Sequence, residues 1–265
     1  MTSVKRYNGR AHNQVRTLKI IQETFGYSAG SVLFQAGNTK VLCSVTLQPT
    51  VPPFMKGKKT GWLNAEYAML PTATKHRTQR ATSVQKLQGR SIEISRLIGR
   101  VLRTVVDLSN FGERTIIVDC DVLQADGGTR SAAITGACIA LKRAEQRWLK
   151  NGTIEQSFLK DEVAAVSVGK LQDHYLLDLD FAEDSIVDGD FNFILTKSNS
   201  IIEIQGTAEK TALSWDDFNV IKDLAVQGVE QIFTFTEQYE TGQKEKYKKN
   251  HTPLFSLQNR LKQNS

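Results

Sequence analysis

The chain has 265 residues, of which 40% are hydrophobic and 23% charged, values typical of a globular protein of one large domain or two small ones. This composition excludes a disordered chain, a collagen and a small disulfide scaffold, and no stretch reaches the ~18–20 uninterrupted apolar residues of a membrane span. The three cysteines lie in apolar surroundings without paired spacing, and the polar N-terminus lacks the apolar core of a secretory signal. We therefore expect reduced thiols in a cytoplasmic protein whose chemistry does not use cysteine.

The net charge of +6 is unevenly distributed. Residues 56–103 carry eleven basic and two acidic side chains, and residues 155–190 carry ten acidic and two basic ones. A basic belt suits a polyanion because each neutralised phosphate releases counterions, and an acidic cluster suits metal binding or proton transfer. Two solvated faces, or a contact between subunits, would explain the same distribution.

Alternation and helical spacing of apolar residues predict seven strands and three helices. In chain order these are a hairpin of Ser31–Ala36 and Lys40–Leu47, a helix Ser83–Asp107, a strand Thr115–Leu123, a helix from about Thr129 to Lys150, a hairpin of Val163–Leu171 and Tyr175–Phe181, a hairpin of Phe191–Lys197 and Ser200–Gly206, and a helix from about Ser214 to Gln238. This order defines a mixed α/β fold of the α+β type, which we expect to form one compact domain over residues 1–240. The basic residues 241–265 are predicted to be a flexible tail.

The first predicted helix carries arginines at positions 96, 100 and 103, at intervals of four and three residues. Side chains at these intervals share one face of a helix, so Arg96, Arg100 and Arg103 are predicted to form one basic stripe.

The segment Gln124-Ala125-Asp126-Gly127-Gly128-Thr129-Arg130 joins a predicted strand to a predicted helix. Its two glycines allow a tight turn and close approach to a ligand, and the helix offers unpaired N–H groups and a positive dipole end. Thr129 adds a hydroxyl donor, and Arg130 adds a planar guanidinium group whose N–H donors match the spacing of phosphate oxygens. The segment indicates a phosphate site, although an ordinary turn with Asp126 or Thr129 as N-cap would use the same residues.

A second arginine, Arg90, follows a glycine near the start of the first predicted helix. It is a candidate second ligand of the anion that the glycine segment is predicted to bind. Taken alone, its position is equally typical of an ordinary arginine on a helix surface.

Residues 178–190 form an acidic run. On an extended chain, residues of equal parity share a face, so five aspartates are expected to cluster: Asp178, Asp180, Asp184, Asp188 and Asp190. Clustered carboxylates repel one another, so the cluster is stable either around a divalent cation or with one carboxyl protonated as a general acid. A solvated acidic loop would give the same composition.

The chain has no G-x-S-x-G, H-E-x-x-H or G-x-G-x-x-G motif, and its four histidines lack zinc-ligand spacing, which argues against a protease, a zinc enzyme or a P-loop NTPase. The sequence instead combines a phosphate site, a basic belt for a polyanion and clustered aspartates. These are the groups that an enzyme needs for phosphoryl transfer with phosphate as the nucleophile. Such catalysis depends on positioning and charge neutralisation.

From about Gly9 to Gln238 the sequence resembles the ribonuclease PH family of phosphate-dependent 3′→5′ exoribonucleases, which is related to polynucleotide phosphorylase and to exosome ring subunits. The most specific match is the block ending in Asp-Gly-Gly-Thr-Arg. The matching stretches are residues 37–44, 61–67, 89–100, 119–130, 183–185 with Asp190, and 203–209. The resemblance implies the ribonuclease PH fold of two related βαβ-type halves, and a reaction that shortens RNA by one nucleotide and releases a nucleoside diphosphate.

The resemblance also implies roles for individual residues. The attacking inorganic phosphate would be held by Arg90, Gly128, Thr129 and Arg130. The carboxylates that bind Mg²⁺ (or Mn²⁺) or assist the leaving oxygen would be Asp184 and Asp190, with Asp178 beside them.

For substrates and partners, the resemblance implies the 3′ end of precursor tRNA, contacted by Lys75, Arg77 and Arg80, and a homohexamer built as a trimer of dimers. The stripe with Arg96 and Arg100 is a further predicted RNA contact, and neither DNA nor a membrane is expected as a partner. The chain departs from the family pattern at three positions, where Thr72 replaces an arginine, Ala68 a glycine and Phe191 a methionine. A catalytically inactive RNA-binding ring subunit is the alternative function, but such a subunit is expected to lose the Gly-Gly-Thr-Arg turn or the aspartate pair, and this chain keeps both.

Overall fold

The computed structural model describes residue 6 and residues 8–21, 27–80 and 89–250, with the backbone alone over 243–250. These residues form nine strands and four α-helices. In chain order they are β1 (Leu18–Ile21), β2 (Gly30–Ala36), β3 (Thr39–Gln48), β4 (Trp62–Met69), α1 (Gly89–Thr104), β5 (Thr115–Gln124), α2 (Thr129–Lys150), β6 (Val163–Leu171), β7 (His174–Leu177), α3 (Phe181–Asp184), β8 (Gly189–Thr196), β9 (Ile201–Ala208) and α4 (Trp215–Asn250). None of these helices combines the length and apolar character needed to cross a membrane.

The first sheet has the strand order β1-β2-β3-β5-β4. Its neighbours are antiparallel except β4, which lies parallel to β5 and is connected to it through α1. This connection is a β-α-β unit, the crossover that parallel neighbours require. The β2–β3 hairpin turns at Gly37, whose φ of 58° is in the left-handed region.

The second sheet has the order β7-β6-β8-β9, and each described pair of neighbours is antiparallel. Helix α4 covers one face, where Ile221, Ala225 and Val229 pack against buried side chains of β6 and β8. The short helix α3 follows β7 and precedes β8 along the chain, and it is therefore held at one end of this sheet.

Helix α2 lies between the two sheets and packs against β2 and β3 of the first and β6 of the second. It is buried on nearly all sides from Thr129 to Leu141, as expected for a helix whose surface carries mainly small and apolar residues. The approach is close, because a Cβ on Gly136 would lie 2.8 Å from the Cys43 sulfur. The N-terminus of α2 is thus fixed where both sheets meet.

The mixed α/β class is confirmed, and α2 has the predicted bounds. Among the described residues, three boundaries differ by more than two residues. The strand predicted to reach Phe181 ends at Leu177, because Asp180 forms a capping box with Glu183 and starts α3 at Phe181. The first helix ends at Thr104, and its predicted start at residues 83–88 lies outside the described residues. The last helix continues to Asn250 rather than ending near Gln238.

Two strands, β1 and β4, have no counterpart among the predicted elements. The division into a domain over residues 1–240 and a tail over residues 241–265 remains a prediction.

Candidate active site

The glycine turn before α2 has the conformation of an open anion site. Gly127 and Gly128 have φ values of 73° and 61°, and Gly128 is the N-cap of α2 without a side-chain capping hydrogen bond. The Asp126 carboxylate accepts from the Asn38 amide at 3.0 Å instead of capping the helix. Because no side chain of the described residues caps this end, its N–H groups and the positive dipole end are available to an anion, which favours the phosphate interpretation over the ordinary N-cap.

The turn packs directly against the backbone that starts α3. A Cβ on Gly127 would lie 2.6 Å from the carbonyl carbon of Asp180 and 2.7 Å from the backbone nitrogen of Phe181. Only glycine fits this contact, which brings the start of α2 next to the short helix that carries Asp184.

Thr129 and Tyr67 meet beneath the turn. The Tyr67 hydroxyl donates to Thr129 Oγ1 at 2.9 Å, and both residues are buried. Burial raises the pKa of the Tyr67 hydroxyl, while the bond to Thr129 and the nearby charges of Arg90 and Arg130 act in the opposite direction. Tyr67 therefore lies within electrostatic range of both predicted phosphate-binding arginines, although the sequence analysis did not select it.

The two arginines differ in their contacts. Arg130 donates a short hydrogen bond to Gln205 Oε1 and lies 3.8 Å from a Glu93 oxygen. Arg90 is exposed at the start of α1. Burial and the charge of Asp190 raise the pKa of Asp184, and the charges of Arg90 and Arg130 oppose part of that rise. Arg130 therefore lies near both Asp184 and Asp190, and Arg90 lies near Asp184 and Tyr67.

Asp184 at the end of α3 and Asp190 in β8 form a carboxylate pair. The pKa of Asp184 is raised, first because the surrounding protein removes water from the carboxyl and second because Asp190 repels its charge. The pKa of Asp190 is also raised, first by desolvation and then by the charge of Glu209. Glu209 is a third acidic group near this pair, and it was not among the site residues predicted from the sequence.

Asp178 does not join this pair. It is 6% exposed, and both of its carboxylate oxygens accept from the Arg16 guanidinium, at 3.0 and 2.8 Å. Although burial opposes ionisation, the charge and hydrogen bonds of Arg16 lower the pKa of Asp178. This carboxylate is thus an ionised partner of Arg16 inside the protein.

The predicted clustering of all five aspartates is wrong, because the chain between them is not extended. Asp178 has a φ of 54°, and α3 intervenes before Asp184. Asp180 caps α3, and Asp188 accepts from Lys210 at 3.1 Å and from the Gln172 N–H at 2.6 Å. Within the part of the chain that the structure describes, no group of three or more His, Cys, Asp or Glu side chains is arranged to hold a metal ion.

The predicted RNA contacts fall in two places. Lys75, Arg77 and Arg80 are exposed in the irregular segment after β4. Arg96 is also exposed and lines a groove of about 870 Å³ between α1 and the edge of the first sheet. These four side chains are free to meet a polyanion on the surface of the described protein.

The arginine stripe on α1 is not a single free basic face. Arg100 forms a bidentate ion pair with Glu203 of β9, with distances of 2.7–2.9 Å between its guanidinium nitrogens and the carboxylate oxygens. Arg103 donates to the Leu63 carbonyl at 3.0 Å and lies 4.7 Å from the centre of the Trp62 ring. Sequence spacing placed these arginines on one face correctly, but it did not show that neighbouring elements engage two of them.

The cysteines are buried and free. Burial raises the pKa of the Cys138 thiol to about 12, and the pKa of Cys120 is raised well above its usual value by its hydrogen bond with Cys43 and by burial. Thiolate chemistry at neutral pH is therefore not favoured at these positions.

Comparisons with known proteins show the family of this chain. Residues 14–146 match domain 1 of the 3′ exoribonuclease family, and residues 161–228 match domain 2. A ribonuclease PH of Syntrophomonas wolfei is 48% identical over 229 residues, covering 86% of this chain and 96% of that protein. A ribonuclease PH of Bacillus subtilis is 47% identical over 228 residues, covering 86% of this chain and 93% of that protein.

Among solved structures, an Archaeoglobus fulgidus exosome with RNA bound to its active site has a similar fold, with a TM-score of 0.72 and 22% identity, over 89% of this chain and 93% of that one. The chain belongs to the 3′ exoribonuclease family, in which its similar relatives are ribonuclease PH enzymes.

Proposed function

We propose that this protein shortens RNA from the 3′ end by phosphorolysis, with inorganic phosphate as co-substrate and nucleoside diphosphates as products. Its family and its ribonuclease PH relatives support this activity. The observation that carries the assignment of the site is the glycine turn at the start of α2, where Gly128 is the N-cap and Gly127 lies against the backbone that leads to Asp184. The proximity of the turn to α3, and the effect of the Arg90 and Arg130 charges on Asp184, support an anion site next to the carboxylate pair.

The phosphate would be held by the N–H groups at Gly128 and Thr129 and by Arg90 and Arg130. One phosphate oxygen attacks the phosphorus that links the terminal nucleotide to the chain. The bond from that phosphorus to the preceding O3′ breaks, the terminal nucleotide leaves as a diphosphate, and the new 3′ oxygen takes up a proton. The arginines and the helix end neutralise the charge that two phosphates bring together, which is the main obstacle to this step.

Asp184 and Asp190 are the proposed catalytic carboxylates, next to the leaving oxygen. Their raised pKa values mean that a proton is held there more readily than on an exposed aspartate, so one carboxyl is suited to supply the proton that the new 3′ oxygen needs.

The same pair also fits Mg²⁺ or Mn²⁺, because repulsion between the two carboxylates is relieved by a cation and Mg²⁺ commonly takes one or two carboxylates plus substrate phosphates. When bound, the ion would supply charge neutralisation at the phosphate oxygens. The donor set on this chain is Asp184 and Asp190, with Glu209 nearby.

The proposed substrate is the 3′ end of precursor tRNA, bound by Lys75, Arg77, Arg80 and Arg96 in the cytoplasm by a homohexameric ring. The exposure of these four side chains and their common sign support the RNA contact. Arg100 is a weaker candidate, because its guanidinium is already paired with Glu203.

The test is product analysis on a 3′-extended tRNA with Mg²⁺, with and without inorganic phosphate. Nucleoside diphosphates that form only in the presence of phosphate are the expected result. Nucleoside monophosphates without phosphate would mean hydrolysis and contradict the mechanism. RNA binding without any product would favour the inactive ring subunit instead.

A further inference from the structure

Arg16 connects the glycine turn to the segment that leads into α3. Its Nε and Nη2 atoms hold both oxygens of Asp178, and its own backbone N–H donates to Asp178 Oδ2 at 2.7 Å. Its Nη1 atom donates to the carbonyl oxygens of Asp126 at 2.7 Å and Gly127 at 3.3 Å. One buried guanidinium, carried by the segment before β1, thus joins the glycine turn to the end of β7.

These contacts fix the direction in which the turn presents its N–H groups. Each peptide bond here is trans, so the carbonyl of Asp126 and the N–H of Gly127 point in opposite directions, as do the carbonyl of Gly127 and the N–H of Gly128. Because Arg16 draws both carbonyls to its side, the two N–H groups are directed away from Arg16. Thr39 reinforces this orientation, since its hydroxyl donates to the Gly127 carbonyl at 2.7 Å and accepts from the Asp126 N–H at 2.9 Å.

Asp178 makes Arg16 rigid. The carboxylate is buried against it, and the Asp178 carbonyl accepts from Arg6 at 3.2 Å and from Arg10 at 3.1 Å. Arg6 continues the connection, because its Nε atom donates to Glu183 of α3 at 2.6 Å. The contacts of Arg16 therefore lead on one side to the glycine turn and on the other to the helix that carries Asp184.

We propose that Arg16, held by Asp178, is a positioning residue for phosphate binding, which orients the glycine turn so that the N–H of Gly128 faces the attacking phosphate. This inference rests on the proposed phosphorolytic function. Arg16 is engaged by protein groups through all three of its guanidinium nitrogens and does not itself touch substrate. Asp178 accordingly acts through Arg16 and not on the reacting atoms.

The test compares the double variant R16Q/D178N, which removes the ion pair while keeping polar groups of similar size, with the wild type. The KM for phosphate is expected to rise about tenfold or more, since hydrogen bonds to charged groups contribute about 1.5–3 kcal/mol and each 1.4 kcal/mol is tenfold in affinity. The Kd for RNA without phosphate is expected to stay within about twofold. Phosphate binding is also measured without turnover, as the rise in Tm that added inorganic phosphate produces.

A second variant guards against failure of the double variant to fold. T39V removes the hydroxyl that holds the same carbonyl and is expected to raise the KM for phosphate in the same direction, and T39S is expected to reverse that rise. The matched control is E145Q, which weakens a buried carboxylate that accepts three hydrogen bonds in the C-terminal half of α2, away from the glycine turn. It is expected to lower Tm without changing the KM for phosphate.

The wild type in the same assay separates the two proposals. Diphosphate release that requires phosphate supports the proposed function, whatever the variants do. If R16Q/D178N and T39V then lower Tm as E145Q does but keep the wild-type KM for phosphate, Arg16 has only a structural role and the inference is overturned.

Discussion

Replacing Gly127 by alanine tests whether the contact between the glycine turn and α3 is rigid. The new Cβ would lie within 2.6–2.8 Å of three backbone atoms, in residues 179–181, and backbone cannot move aside as a flexible side chain can. The left-handed φ of 73° costs an L-residue about 1–2 kcal/mol, and overpacking adds about 1–3 kcal/mol. We expect G127A to lower the free energy of unfolding by roughly 2–5 kcal/mol.

Gly152 provides the matched control. It has the same φ of 73°, but a Cβ there would meet no atom within 4 Å, so G152A isolates the cost of the backbone conformation. The difference between G127A and G152A in urea unfolding should therefore be about 1–3 kcal/mol. Because the turn must move away from α3, phosphorolysis by G127A should fall while RNA binding is retained. Equal unfolding free energies for the two variants, with normal phosphorolysis by G127A, would refute the reasoning.

Three further predictions concern charge. D184N should lose turnover at saturating RNA by about 100-fold or more, the usual scale for a positioned proton donor, with RNA affinity nearly unchanged; unchanged turnover would place the chemistry elsewhere. For the triple variant K75Q/R77Q/R80Q, the slope of log RNA affinity against log salt concentration should be smaller by about 2, since each phosphate contact on a single strand contributes about 0.7. An unaltered slope would mean that these residues do not contact the RNA. The pKa values of Asp178 and Glu183 are lowered in the folded protein, so their ionisation stabilises the fold above their unfolded pKa values of about 4. This stabilisation is lost as the pH falls through the folded pKa values, so the acid unfolding of R16Q/D178N should depend less on pH below about 4 than that of the wild type. An identical pH profile for the two proteins would contradict the assignment.

Much of the fold follows from local patterns. Alternation predicted the β2–β3 hairpin, and α2 was predicted with its bounds because a strand, two glycines and a threonine precede a run of helix-forming residues. The edge strand β4 was missed although its sequence carries the signal, since the buried Leu63, Ala65 and Tyr67 alternate with exposed residues as in a half-buried strand. The end of β7 was misplaced, because the left-handed φ at Asp178 and the capping box at Asp180 bend a chain that otherwise alternates like a strand.

For the candidate site, local sequence identified groups whose role depends on their type and immediate neighbours. Gly128, Arg130 and Asp184 are of this kind, and the structure brings them close together. Arg16 carried no local signal, since Asp178 and the glycine turn, which it joins, lie more than 100 positions away along the chain. Asp178 was assigned to the wrong kind of contact for the same reason, because spacing in sequence cannot show which distant cation a carboxylate meets.

The position of α2 between the two sheets has a consequence for how such an enzyme can be divided. The glycine turn belongs to the segment before α2, whereas Asp184 and Asp190 belong to the second sheet and its connections. Separate expression of the two halves would split α2 from β6, expose its buried face and leave each fragment with one part of the site. Activity should return only when the fragments associate again around α2, so the cut protein would behave as a complementation pair and not as two independent modules.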